Sequence, residues 1–131
     1  MCAAIYVRFQ RKCGSHSCQL ILSKTRLVPD GMSQPRAELY AAVVNTHAAE
    51  VVKRALGRFH SRSTKFTDSQ IVLFWLSNDA RALKQWLRSR VIEILRWSDV
   101  CSWFYIRSQD MIADLGTRRC MSTEDVNPES V

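Results

Sequence analysis

Four short runs rich in β-branched and aromatic residues alternate with runs of helical spacing. Residues 3–9, Ala3-Ala4-Ile5-Tyr6-Val7-Arg8-Phe9, have strand composition. Residues 12–17 are turn-like, and residues 18–23 read as a second strand, so the first two strands predict an antiparallel hairpin. Val28-Pro29-Asp30-Gly31 marks a loop. Ser33 or Gln34 can then cap a helix that tolerates Pro35 in its first turn. Leu39, Ala42, Val43, Thr46 and Ala49 recur at helical spacing up to about Leu56. A short strand follows at 65–68 and a short helix at 69–76. An amphipathic helix is predicted over 81–97, with Leu83, Trp86, Leu87, Val91, Ile94 and Leu95 on one face and Arg81, Lys84 and Arg88 on another. A last strand at 103–107 and a last helix at 112–119 complete the order β-β-α-β-α-α-β-α, which points to a layered α/β domain. Trp75, Trp86, Trp97 and Trp103 fall at spacings that suit a core, although each could also stack on a base.

Charge adds a partner to this picture. The 131 residues carry a formal charge of +7. No acid precedes Asp30, whereas Arg8, Arg11, Lys12, Lys24 and Arg26 do, and the stretch from Val51 to Thr67 holds five basic residues and no acid. Such a field favours a polyanion, and nucleic acid is the commonest one; solvated faces are the plainer alternative. Residues 120–131 reverse sign with Glu124, Asp125 and Glu129, as an exposed tail or connector would. No apolar run reaches the roughly 18 residues of a membrane helix, and residues 1–7 make too short an apolar stretch for a signal peptide. The chain therefore reads as intracellular, cytoplasmic or nuclear, without a membrane partner. Its five cysteines include no CxxC pair and suit reduced thiols. Cys13, His16 and Cys18 are close together, but a fourth zinc ligand at good spacing is missing.

Three acids sit where chemistry can happen. Glu38 is at a helix start, Asp68 ends a strand, and Asp114 precedes the last helix. Such positions can converge at one edge of an α/β sheet, and converging carboxylates form a hard oxygen site suited to Mg²⁺. Two close ions could cut a phosphodiester by in-line displacement. Each acid also has a plainer reading: Glu38 as a first-turn acid facing the helix dipole, Asp68 as a helix cap, and Asp114 as a polar first-turn residue.

The element order and three segments resemble the ribonuclease H-like region of BEL/Pao-type retrotransposon polyproteins. Those segments are Pro35-Arg36-Ala37-Glu38-Leu39, Phe66-Thr67-Asp68-Ser69-Gln70 with the helix after it, and the strand at 103–107 followed by Met111-Ile112-Ala113-Asp114-Leu115-Gly116. The resemblance spans nearly the whole chain. It implies a ribonuclease H-like mixed sheet flanked by helices, with residues 1–119 as the domain and 120–131 as the tail. It implies two Mg²⁺ or Mn²⁺ ions held by Glu38, Asp68 and Asp114, an RNA–DNA hybrid or duplex as partner, and reverse transcriptase and integrase regions as polyprotein neighbours. With the basic field, it makes Ser69, Arg36, Arg81, Lys84 and Arg88 the candidates for nucleic-acid contact. The family is also called a peptidase, yet Asp114-Leu115-Gly116 is not the Asp-Thr/Ser-Gly of an aspartic protease.

The departures from the family pattern carry their own expectations. Ribonucleases H use four acids, and the first lies on a first strand that is central in the sheet order 3-2-1-4-5. The resemblance starts after that strand, so the domain is expected to be N-terminally truncated. A retrotransposon remnant that no longer cuts hybrids is the reading this favours. A non-catalytic nucleic-acid-binding protein or an unconstrained relic is the alternative.

Overall fold

A computed structural model describes residues 1–57 and 62–113. The chain opens with strands β1 (Cys2–Gln10) and β2 (His16–Thr25), paired antiparallel. Their turn is closed by hydrogen bonds from the Arg11 amide to the Ser15 carbonyl (2.8 Å) and from the Gly14 amide to the Arg11 carbonyl (2.9 Å). Gly14 takes φ +86 there, a conformation that a side chain would strain. A bulge between Ile5 and Tyr6 leaves Ile21 without a direct partner across the ladder.

Helix α1 (Gln34–Leu56) is the pillar of the fold. Its three-turn-and-more apolar periodicity produces two buried rows on opposite sides. Leu39, Ala42 and Val43 join the main core with Val72, Leu76, Val91, Ile94 and Trp103. Val44, Ala48 and Val52, one turn apart, lie on the other side of α1, where the hairpin packs. Thr46 is also buried, and its hydroxyl is satisfied by the Ala42 carbonyl at 2.9 Å. Burying Leu39 with no exposed surface contributes on the order of 2 kcal/mol.

Strand β3 (Lys65–Thr67) leads into helix α2 (Gln70–Ser77). Helix α3 (Gln85–Trp97) packs on α1 and returns the chain to strand β4 (Trp103–Tyr105), which pairs parallel with β3. An amide–carbonyl bond from Ile106 to Thr67 (2.9 Å) extends that ladder by one residue.

Three expectations are revised. The helix expected over 81–97 begins at Gln85: Asp79 accepts from the Arg81 amide at 2.9 Å and caps a separate turn at Ala80–Ala82, and Leu83 and Lys84 are extended. The anticipated mixed sheet is instead two separate ladders, β1–β2 packed on α1 and β3–β4 packed on α2, with no hydrogen bond between them among the described residues. Of the four tryptophans only Trp103 is fully buried; Trp75 and Trp86 lie partly buried against the core, and Trp97 is exposed. What is described is a mixed α/β fold with small sheets and three α-helices, compatible with a ribonuclease H-like fold. The last predicted helix falls largely, and residues 120–131 entirely, outside the described residues. Among the described residues no helix is long and apolar enough to cross a membrane.

Candidate functional site

Glu38, on α1, is hydrogen-bonded to Ser69, the residue that follows Asp68. The Ser69 hydroxyl donates to Glu38 Oε2 at 2.5 Å, and the Gln34 amide nitrogen donates to Glu38 Oε1 at 3.1 Å. Both carboxylate oxygens are thus held by neutral donors, which fixes the group without neutralising its charge. Glu38 is the fifth residue of α1, and no acid occupies the first turn. The dipole reading is therefore weak, because that effect fades within the first turn.

Asp68 follows β3 directly and is half-buried. It does not cap α2. That role belongs to Ser69, whose hydroxyl oxygen accepts from the Val72 amide at 3.3 Å. The plainer reading of Asp68 as the cap is therefore not met; the extended backbone at Ser69 (φ −100, ψ 106) puts the serine in that position. Asp68 makes no hydrogen bond or ion pair among the described residues. Asp114 lies outside the described residues. Among the described residues no group of three or more His, Cys, Asp or Glu converges, whether around Glu38 and Asp68 or around Cys13, His16 and Cys18.

The residues expected to touch nucleic acid divide into two sorts. Ser69 is only 5% exposed, so its hydroxyl serves Glu38 and the helix cap. Arg81 is held by Asp79, with a shortest contact of 2.8 Å. That pairing pushes the Asp79 carboxyl below and the Arg81 guanidinium above their ordinary values. Arg88 donates to the carbonyls of Ala80 (3.2 Å), Arg81 (3.0 Å) and Leu83 (3.1 Å), closing the turn ahead of α3. Lys84 occupies the N-cap position of α3 and is exposed. Arg36 is exposed and stacks on Trp86 at 5.3 Å.

The sequence reading missed two features. Lys65 is buried at 5% exposure, and burial, then the nearby Lys53, hold its ammonium below the ordinary lysine value. Arg90 stacks between Tyr40 and Trp86 across the α1–α3 face, and Arg26 donates to the Tyr40 hydroxyl. The spacing of Arg36 and Tyr40 on α1, and of Trp86 and Arg90 on α3, is the i,i+4 signal that could have found it.

The family model of the Pao retrotransposon-like RNaseH-like domain matches residues 1–69, just over half of the chain. The chain belongs to this family. No curated protein and no solved structure matches it. The part matched to the Pao retrotransposon-like domain runs from the hairpin through α1 and β3 and ends on Ser69. It therefore contains Glu38, Asp68 and the serine that ties them, while Arg81, Lys84, Arg88 and Asp114 lie beyond it.

Proposed function

We propose that this retrotransposon RNase H-like domain descends from an enzyme that cut RNA in RNA–DNA hybrids by two-metal hydrolysis. The observation that carries the reading is the Ser69 bridge, which holds the Glu38 carboxylate against the strand end that bears Asp68. Glu38 and Asp68 supply hard oxygen donors of the kind Mg²⁺ or Mn²⁺ prefers, and Asp114 would complete the protein's set. Bound ions would polarise the phosphate and activate a water as nucleophile. This chain's own residues orient the site: Ser69 and Gln34 fix Glu38, and the β3–β4 ladder positions Asp68.

We further propose that the 131-residue chain by itself cuts poorly and retains chiefly nucleic-acid binding. The two ladders share no backbone hydrogen bonds, so the relative placement of Glu38 and Asp68 depends on α1 packing and one serine. Catalysis is sensitive to misplacement of about 1 Å. Exposed basic side chains supply the attraction to phosphate. On this reading residues 1–119 form the domain and 120–131 an acidic connector within a reverse transcriptase and integrase polyprotein.

Mn²⁺ titration followed by NMR tests the metal site. The amide signals of Glu38 and Asp68 should broaden first, and Asp68→Asn should weaken the effect. Uniform broadening, unchanged in Asp68→Asn, would remove the metal-site reading.

A further inference from the structure

We propose that Arg26, Arg36 and Arg90 form a binding site for backbone phosphates of nucleic acid on the α1–α3 face. The proposal rests on the nucleic-acid-binding reading above and locates it on residues that the sequence pattern did not single out as a group.

The site is built around two rings. Arg26 donates to the Tyr40 hydroxyl at 3.4 Å. Arg90 lies over Tyr40 at 5.9 Å and over Trp86 at 5.5 Å, and Arg36 lies over Trp86 at 5.3 Å. Three guanidiniums are thus fixed against one Tyr–Trp pair. Stacking uses the face of a guanidinium and leaves its N–H edge free, and that edge matches two oxygens of a phosphate.

The cluster is short of negative charge. Three other surface arginines each have a carboxylate close by in sequence: Arg54 with Glu50, Arg81 with Asp79 and Arg107 with Asp110. Arg26 and Arg36 have no such partner among the described residues. Glu93 is the carboxylate at this cluster, and it is divided between Arg90 (3.3 Å) and His47 (3.1 Å). Arg90 gives Nη1 to Glu93 and its Nε is buried, so it adds positive charge behind the exposed edges of Arg26 and Arg36. Two stacked guanidiniums and a third hydrogen-bonded to Tyr40, around one shared carboxylate, favour an external anion. The exposure of Arg26 and Arg36 lets an extended anion reach them. Arg88 offers the contrast, since its donors are committed to three carbonyls.

The test measures affinity for a short RNA–DNA hybrid at several salt concentrations. The full chain is compared with Arg26→Gln/Arg36→Gln and with Arg11→Gln/Lys12→Gln at the hairpin tip, which removes the same charge elsewhere. Circular dichroism checks that each variant folds. Losing two phosphate contacts should reduce the slope of log K against log salt by about 2 in Arg26→Gln/Arg36→Gln. The hairpin variant should change it by clearly less. If the full chain binds and Arg26→Gln/Arg36→Gln keeps its slope, or both variants lose equally, this site is wrong while nucleic-acid binding stands. If the full chain does not bind at any salt, the nucleic-acid-binding reading falls and this site with it.

Discussion

The Ser69 hydroxyl donates to Glu38 Oε2 at 2.5 Å while accepting the Val72 amide at 3.3 Å. One side chain therefore caps α2 and anchors a carboxylate 31 residues earlier in the chain. Ser69→Ala should lose both bonds and destabilise the fold by roughly 1–2 kcal/mol in urea denaturation. A double-mutant cycle with Glu38→Gln should show a coupling of about 0.5–3 kcal/mol. Additive effects would mean that the bridge does not link the two elements.

The 131-residue chain should not cut a labelled RNA–DNA hybrid efficiently in Mg²⁺ or Mn²⁺. Gel analysis of the products checks this. Robust cutting that Asp68→Asn abolishes would show that α1 and the β3–β4 ladder hold Glu38 and Asp68 well enough for catalysis.

Lys65 gives the fold a pH dependence of known sign. Its ammonium titrates below the ordinary value when folded, and unfolding restores a value near 10.4. Protonation therefore favours the unfolded chain. The destabilisation is fully present below the folded-state value and is relieved as pH rises through it towards the unfolded value. Lys65→Met should raise the melting temperature at neutral pH and flatten the alkaline part of the stability profile. A variant that melts lower at neutral pH would show that the ammonium is better satisfied than its burial implies.

Arg88 and Arg81 should separate in a stability measurement. Arg88→Ala removes bonds to three carbonyls at the entry to α3 and should cost about 1 kcal/mol or more. Arg81→Ala breaks one exposed pair with Asp79 and should cost clearly less than Arg88→Ala. Chemical denaturation of the two variants reads the difference directly.

Leu39→Ala probes the pillar. Leu39 has no exposed surface and touches the common core of α1, α2, α3 and β4, so its truncation should cost about 2–5 kcal/mol. A smaller loss in thermal unfolding would mean that the core around α1 relaxes to fill the space.

What the sequence determined by itself is local. The helical spacing from Leu39 onward fixes α1, because side chains one turn apart must share a face whatever they later touch. The β-branched and aromatic runs at 3–9 and 18–23, parted by a turn, determine the hairpin for the same reason. The motifs around Glu38 and Asp68 were readable as family motifs because their types and neighbours are local too. The tertiary structure decided everything that joins distant segments. It chose Ser69 over Asp68 as the cap, because a cap depends on backbone angles that two adjacent polar residues do not reveal. It committed Arg81 and Arg88 to structural contacts and left Arg26, Arg36 and Arg90 around one Tyr–Trp pair. It also kept β1–β2 and β3–β4 as separate ladders. Strand pairing and charge pairing are contacts across space, and their free energy depends on which groups packing brings together, which periodicity along one chain does not specify.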